Sequence, residues 1–509
     1  MPRQTLDISP VGVVNRRDAV DEMDATNVSS RENFLVEGIG DAKKNKKMPG
    51  SDRLTDGDIS NVYTWIARYY SGSTAKSFAF NDGSLYHISP AGAETAKITG
   101  LSKTAYPVSE ITKFSGNNVM FFADGFNGMY SHDGNADNSW KKESVVTLNF
   151  VGMVSHLDRM FGFEEDSENL YVSSNLDPTD YTDADDTAVI TIGAKRGAKI
   201  QGIALLFETL FIFKEDSIWV LEGRSIQTFT VREVHTSLGV AARRSIAKTN
   251  VILFLGSDYQ FYSFGGSLAS TSRLSHQMAI NGDMTKDVIP IINKNRMAQV
   301  CAIFHRDLYR CSFVETGQVL AKLEYIFNTT NQTDSLTRGN NVSAYMVQDK
   351  TPDKDELITG RSDAGLLMLQ YQGLNWDNDG SGTMPVKLET AFVGKNIRNK
   401  RFLRVWGDFQ VLGAKDLLLG YQLDTRHAGS DRKTEEMDTS GEYKSLTSFV
   451  RINSQTAITS RGILKRASAK GQSIGFSVDE NESDRDISFS KITMELIVKE
   501  KKRSKKVGV

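Results

Sequence analysis

Two apolar runs around a polar turn recur along this chain, and the clearest example lies in Leu205–Gly223. There, Leu210–Phe213 and Ile218–Leu221 flank the polar tetrad Lys214–Ser217. β-Branched and aromatic residues around a short polar turn predict a β-hairpin. A lone hairpin is only marginally stable in water, so neighbouring strands should cover both of its faces. Trp219 is then expected to pack between neighbouring sheets, and only the polar turn should meet a partner.

The same pattern recurs between residues 78 and 369. The predicted hairpins are Phe78–Ile88, Val119–Tyr130, Met160–Val172, Leu210–Leu221, Ile252–Phe264, Ala302–Phe313 and Leu357–Leu369. Turn-forming pairs such as Asp82-Gly83 stand between the two runs. Successive hairpins start about 40 to 55 residues apart, which is the period of four-stranded propeller blades. We therefore expect an all-β protein in which residues 61–372 form a β-propeller of six or seven blades, with each hairpin in the middle of a blade.

The remaining segments differ from this array in composition and in their pattern of polar and apolar residues. Residues 1–60 are polar and predict an N-terminal arm in which Lys43–Lys47 is a solvated loop. Residues 373–385 have the composition of a linker. Alternating polar and apolar positions predict an antiparallel β-sandwich over residues 386–498. A basic tail, residues 499–509, follows, with six basic residues and one acid in Lys499–Lys506.

Composition bears on nucleic-acid binding, membrane association and disulfide formation. The 509 residues carry 61 basic and 63 acidic side chains, a net charge of −2 that gives no global argument for nucleic-acid or membrane attraction. No secretory signal or membrane-spanning run is found, so we expect cytosolic folding and no membrane anchor. A hairpin turning at His305–Asp307 would place Cys301 and Cys311 opposite each other. A disulfide is conceivable there, but a cytosol favours two buried thiols.

Two charged clusters are candidate interaction sites. Glu164–Asp186 contains nine acids and no Lys or Arg, which predicts either a solvated loop or a negative surface facing a partner or a channel. Its candidate channel-facing residues are Glu164, Glu165, Asp166, Asp183, Asp185 and Asp186. A basic cluster could contact phosphates, protect a strand edge or form an intersubunit surface. Its residues are Lys395, Arg398, Lys400, Arg401 and Arg404.

Catalytic motifs are not found in the sequence. Asn375–Gly380 matches the first half of a calcium loop, but Val386 stands where a bidentate carboxylate is required. Ser131–Gly134 only approaches the Asp-box turn of propeller glycosidases. We therefore predict no enzyme activity, no metal and no cofactor.

A resemblance emerges from the arm, the hairpin FIFKEDSIWVLEG and the C-terminal strands. Those strands are NKRFLRVWGDF (Asn399–Phe409), SRGILKRASAKGQSIGFSV (Ser460–Val478) and ISFSKITMELIVK (Ile487–Lys499). The chain resembles the tail-hub, nozzle and packaged-DNA-stabilisation proteins of short-tailed phages. In that family, a Lys-Arg-x-hydrophobic strand is similarly followed by a Gly-Arg/Gln segment and a closing strand.

The resemblance implies a structural virion protein of the phage neck or tail, assembled in the host cytoplasm. It implies a homo-hexameric ring that docks on the portal or adaptor ring, retains packaged double-stranded DNA and forms its exit channel, with the acidic candidates facing the lumen. Two alternatives stay open. One is a carbohydrate-binding or carbohydrate-cleaving propeller, and the other is a cellular propeller scaffold.

Overall fold

The structure, a computed structural model, describes most of residues 61–371 and shorter segments on either side. The described ranges are 3–10, 28–38, 42–48, 51–55, 61–72, 74–193, 197–274, 292–349, 355–371, 386–390, 400–412, 417–423, 433–437, 458–460, 469–471, 474–480 and 486–498. Within them the protein is all-β, with eight sheets and three short 3₁₀ helices at Arg243–Ser245, Leu268–Ser270 and Lys294–Gln299. No helix in these ranges is long and apolar enough to cross a membrane.

Seven antiparallel groups of four strands, here called meanders 1 to 7, follow one another along the chain. Meander 1 is β6 (Tyr63–Ser71), β7 (Thr74–Asn81), β8 (Ser84–Ile88) and β9 (Glu94–Ile98). Meander 2 is β10 (Val108–Phe114), β11 (Asn117–Ala123), β12 (Met129–His132) and β13 (Lys141–Lys142). Meander 3 is β14 (Phe150–His156), β15 (Arg159–Glu164), β16 (Asn169–Val172) and β17 (Ala188–Thr191).

The later meanders repeat this order. Meander 4 is β18 (Ile200–Leu206), β19 (Thr209–Lys214), β20 (Ile218–Glu222) and β21 (Thr230–His235). Meander 5 is β22 (Ala247–Lys248), β23 (Ile252–Leu255), β24 (Phe261–Phe264) and β25 (Thr271–Arg273). Meander 6 is β26 (Cys301–His305), β27 (Leu308–Val314), β28 (Ala321–Asn328) and β29 (Thr333–Arg338). Meander 7 is β30 (Val342–Asp349), β31 (Asp355–Arg361), β32 (Leu367–Gln370) and the N-terminal strand β5 (Ser51–Arg53).

All of the predicted hairpins are confirmed, because their turn chemistry and alternation are local properties. In the β7–β8 turn, Asp82 and Gly83 have φ of 45° and 76°, the left-handed conformation that a two-residue hairpin turn requires. The position of one hairpin within its meander differs from the prediction. Ala302–Phe313 forms the first two strands of meander 6 and not its middle pair.

Each meander has two ends, which we call end A and end B. End A carries the connections from first to second strand and from third to fourth strand. End B carries the connection from second to third strand and the link to the next meander. Successive connections of an antiparallel meander must alternate in this way, because each strand reverses the chain direction.

Buried apolar clusters join neighbouring meanders in a propeller-like arrangement. Such clusters connect meanders 1 and 2, 2 and 3, 3 and 4, 4 and 5, 5 and 6, and 7 and 1. The last of them places Ala344 and Ile358 of meander 7 with Tyr63 and Ala79 of meander 1. The first and last meanders of the array are therefore neighbours.

Strands from both ends of the chain form further sheets. The N-terminal strands are β1 (Arg3–Ile8), β2 (Val28–Glu32), β3 (Phe34–Glu37) and β4 (Lys44–Lys47). The C-terminal strands are β33 (Val386–Thr390), β34 (Lys400–Leu412), β35 (Leu417–Leu423), β36 (Lys433–Met437), β37 (Ile458–Ser460), β38 (Ala469–Gly471), β39 (Ile474–Glu480) and β40 (Asp486–Val498). One sheet has the order β3-β4-β40-β34-β37, with β1 on β40 and β38 on β34. The other extends meander 6 through β29-β2-β33-β39-β35-β36.

The prediction of an irregular N-terminal arm with a solvated loop at Lys43–Lys47 is wrong. Lys44–Lys47 is strand β4, which pairs with β3 and β40, and Asn45 and Lys47 are buried. The Asn45 amide donates to the Pro10 carbonyl oxygen at 2.9 Å and accepts from Arg31 at 3.1 Å. Polar side chains are buried here because hydrogen bonds from distant segments satisfy them.

Candidate interaction surfaces

The hairpin of meander 4 confirms the role predicted for Trp219 and corrects the role predicted for its turn. Trp219 is half-buried and packs against the cluster between meanders 3 and 4, where Gly193 leaves room for the indole. Lys214 and Ser217 of the turn, however, are buried, and Lys214 Nζ donates to the Ile192 carbonyl oxygen at 2.6 Å. The turn is thus largely engaged inside the molecule.

The acidic candidates do not form one surface. Glu164, Glu165 and Asp166 lie at end B of meander 3, in the β15–β16 connection. Asp183, Asp185 and Asp186 lie at end A, in the β16–β17 connection. Strand β16 runs from end B to end A between the two groups, so a run of acids that is continuous in sequence is divided between opposite ends.

Several of these acids already have partners. Glu164 accepts hydrogen bonds from the Asn149 amide at 2.9 Å and the Tyr171 hydroxyl at 3.0 Å. Glu165 pairs with Arg243. Asp186 pairs with Arg159, and hydrogen bonds from that guanidinium lower the pKa of its carboxyl. The exposed members of the set are Glu165, Asp166, Asp183 and Asp185.

The basic candidates are only partly within the described residues. Lys395 and Arg398 lie outside them. Lys400, Arg401 and Arg404 lie on β34, whose backbone pairs with β40 at all three positions. Lys400 and Arg401 also pair with β38 on the other side, so this part of β34 is not a strand edge. Contact with phosphate or with another subunit stays a prediction.

The two cysteines are buried and free, as the preferred interpretation predicted. Burial raises the pKa of Cys301 to about 12, which keeps it protonated. Cys311 is opposite Ala302, and Cys301 is opposite Ser312, so the predicted pairing was shifted by one residue. The reason is that the turn contains two residues, Arg306 and Asp307, both with positive φ.

The first strands of several meanders approach one another around a common axis. At end B, the Arg244 guanidinium lies 5.2 Å from the ring centre of Tyr106 and donates to the Ser343 carbonyl oxygen at 3.0 Å. Tyr106 lies in the link between meanders 1 and 2, and Arg244 lies in the link between meanders 4 and 5. Ser343 is on the first strand of meander 7. Their meeting requires a ring-like arrangement with Arg244 across its axis.

Further along this axis, Glu110 of β10 accepts a hydrogen bond from the Ser155 amide of β14 at 3.0 Å. Burial raises the pKa of Glu110 to about 7, opposed by that hydrogen bond and by Lys248 of meander 5. Sequence reasoning missed Glu110 and Arg244, because no local signal links residues so far apart. The described residues contain no group of three potential metal-ligating side chains.

Meanders 6 and 7 are joined by a buried polar network that the sequence analysis also missed. Arg310 of β27 donates to both carboxylate oxygens of Glu324 on β28, at 2.6 and 2.8 Å. The Tyr345 hydroxyl and the Asn340 amide donate to the same carboxylate at 2.6 and 3.2 Å. A charged residue within each of two largely apolar strands, Arg310 in LYRCSFV and Glu324 in AKLEYIFN, was the signal that could have found this pair.

The comparisons with known proteins add little to this geometry. No family model and no curated protein matches the chain. Among solved structures, the crystal structure of the computationally designed Ika8 protein is similar, with 11% identity and a TM-score of 0.33. The match covers 67% of this chain and 96% of that chain. A TM-score this low carries no argument about function, so the proposals below are argued from the chain's own residues.

Proposed function

We propose that this chain is a structural protein of a phage neck or tail that assembles into a ring around the DNA exit channel. In this proposal it docks on a portal or adaptor ring and retains packaged DNA. Its architecture would be a seven-bladed propeller followed by a C-terminal β-sandwich. The observation that carries the proposal is the way the N-terminal strands bind the propeller-like array to the C-terminal strands.

A count of seven blades is supported by how the array closes. Meanders 1 to 6 each take four consecutive strands, whereas meander 7 takes three and is completed by β5 from the N-terminal arm. The Leu54 amide donates to the Leu367 carbonyl oxygen at 2.8 Å, and the Leu367 amide donates to the Thr55 hydroxyl at 3.0 Å. A blade built from both ends of the array would hold the first and last blades of a ring together, and a propeller leaves only short, protected sheet edges.

A C-terminal sandwich is supported by side chains that pack between the two sheets that combine N-terminal and C-terminal strands. Phe34 of β3 meets Phe489 of β40 edge-to-face at 5.6 Å, and both are buried. The same cluster contains Val28 of β2 and Leu388 of β33, which belong to the other sheet. Two sheets with a shared buried layer match the sandwich architecture.

The arm couples these two parts. Strand β2 lies between β29 of meander 6 and β33 of the C-terminal strands, so one continuous sheet runs through both. Fully buried Arg31 donates to the Asp334 and Pro10 carbonyl oxygens at 3.0 and 3.1 Å. A subunit of a DNA conduit must keep one shape under load, and such a continuous sheet favours that role. Arg244 across the axis also favours a lumen between subunits over a path through the propeller.

Electron microscopy of the purified full chain, alone and mixed with portal rings, tests the proposal. We expect rings of about six subunits by the family resemblance, which add an extra layer at one face of the portal. Monomers that never bind a portal ring would contradict it.

A carbohydrate-binding or carbohydrate-cleaving protein is the second candidate, favoured by a cavity of about 270 Å³ on meander 2. Trp140, Asp133, Lys141 and Glu143 are among its lining residues. Glu143 is almost fully buried and accepts from the Ser131 hydroxyl at 2.5 Å. Hydrolysis of polysaccharide by the purified chain, lost in Glu143→Gln, would support this candidate over the first.

A further inference from the structure

Three large apolar side chains are exposed at end A of three consecutive meanders. Leu176 lies in the β16–β17 connection, Phe207 in the β18–β19 turn and Leu268 in the β24–β25 turn, and they are 63%, 75% and 61% exposed. We call these three residues the apolar arc. Exposed apolar side chains are common singly, but a contiguous set rimmed by polar residues marks an interaction site.

Contacts between these segments show that the three turns that carry the arc are neighbours. The Leu176 amide donates to the Asp158 carbonyl oxygen at 2.8 Å, which holds Leu176 against the β14–β15 turn. His156 of that turn is close enough to Glu208 for the carboxylate to oppose the lowering of the imidazole pKa by burial. A Cβ added to Gly266 would lie 3.8 Å from Leu206 Cδ2 and 3.5 Å from the Phe211 ring, which places the β24–β25 turn beside the β18–β19 hairpin that carries Phe207.

Acidic side chains surround the arc. Asp158 and Glu208 are exposed beside Leu176 and Phe207, and Asp183 and Asp185 are exposed in the same connection as Leu176. At this end of meanders 3 to 5, the described residues place three exposed bases, Arg224, Arg232 and Lys248, and Arg232 is paired with Glu222. A partner for the arc should therefore combine positive charge with apolar side chains.

The chain carries such a segment itself. Lys499–Lys506 has six basic residues and one acid, and Val507 and Val509 follow it. It comes directly after β40, whose last residue, Val498, pairs with Lys400 of β34. Its charge is opposite to that of the acidic side chains around the arc, which makes it a match for the arc in charge.

We propose that the apolar arc of one copy binds the basic segment Lys499–Lys506 of a second copy, together with the Val507 and Val509 that follow it. The contact is heterologous, because two different surfaces meet, and it can repeat around a ring. The inference goes beyond the proposed function and does not depend on it. A chain that forms rings on a portal without contact between the apolar arc and this segment would fail this inference alone.

Photo-crosslinking tests the contact directly. The full chain would carry a benzophenone amino acid at position 207, and a mixture of ¹⁵N-labelled and unlabelled protein would be irradiated. We expect mixed-isotope crosslinks to peptides from residues 495–509. Crosslinks within one molecule only, or to another surface, would overturn the proposal, and so would a protein that stays monomeric at every concentration.

Charge reversal supplies a second test by sedimentation of the purified full chain. Glu208→Lys, and separately Lys501→Glu with Lys502→Glu, should each weaken self-association by about tenfold or more, as expected for opposite charges at an interface. Combining the three changes should restore most of the affinity. Without that restoration, the charges do not meet and the proposal is wrong.

Matched controls separate binding from folding. Phe207→Ser should weaken self-association, whereas Phe126→Ser, at a phenylalanine that is 59% exposed at end B of meander 2, should not. Equal effects of both substitutions would overturn the assignment of the arc. Unchanged thermal unfolding would show that each variant folds.

Discussion

The junction between meanders 4 and 5 and the junction between meanders 6 and 7 solve the same packing problem with opposite chemistry. In the first, Phe211 meets Phe264 at 5.1 Å and Phe213 meets Phe254 at 5.4 Å. In the second, the fully buried Arg310 is held by Glu324. Burial disfavours the Arg310 cation, but Glu324 more than compensates and the pKa of Arg310 is raised.

The two junctions differ in how strictly they specify the meander that packs beside them. An aromatic junction needs matching shape, and many apolar side chains supply it. The polar junction is satisfied only when its donors and acceptors all meet, including Ser312 Oγ, which donates to the Val342 carbonyl oxygen at 2.7 Å. We expect it to determine which meander packs beside meander 6.

Removing one member of the polar junction should have the largest effect. Arg310→Met leaves the Glu324 carboxylate buried without its cation, which should cost about 3–5 kcal/mol of unfolding free energy. Denaturant unfolding followed by fluorescence measures this loss. The double variant Arg310→Met/Glu324→Leu should recover only part of it, because the Tyr345 hydroxyl then loses its acceptor. A single variant that costs under about 1 kcal/mol would show that the pair is not a determinant of the junction.

The aromatic junction should tolerate a conservative change better. Phe213→Leu keeps an apolar side chain and leaves a small cavity, so we expect a loss of about 1–3 kcal/mol in the same unfolding measurement. Phe126→Leu, at an exposed phenylalanine, is the matched control and should be near neutral. A loss larger than that of Arg310→Met would reverse the comparison.

Glu110 shows what a buried carboxylate does without a close cation. Its folded pKa is raised to about 7 from 4.5, so its contribution to stability is fully present below pH 4.5 and is lost as the pH rises through 7. Glu110→Gln should therefore stabilise the protein at pH 8 by about 1–2 kcal/mol, and not at pH 4. Unfolding curves at both pH values test this, and equal effects at the two would contradict it.

The smallest effect is expected for an exposed pair. Glu165 and Arg243 form a salt bridge between the end B connections of meanders 3 and 4, with Glu165 about half exposed. Glu165→Gln should change the unfolding free energy by about 0.5 kcal/mol, and salt should abolish the difference. A loss comparable with that of Arg310→Met would mean that exposure does not separate the two ion pairs.

Local features were predictable from the sequence, and non-local ones were not. The hairpins, the buried thiols and the place of Trp219 between meanders were predicted correctly from alternation, turn residues and composition. The arm was predicted wrongly, since Lys44–Lys47 is polar and joins a sheet through β40, more than 400 residues away. The acidic run was treated as one surface because sequence does not show at which end of a meander each turn lies.

Residue order alone determined that this chain forms a succession of antiparallel hairpins, because strand alternation and turn geometry act over fewer than about ten residues. Tertiary structure decided which meander receives β5, where Arg244 crosses the axis and which charged pair is buried. Those outcomes depend on contacts between distant segments. Their free energies come from burial and from hydrogen bonds that exist only once the sheets have packed.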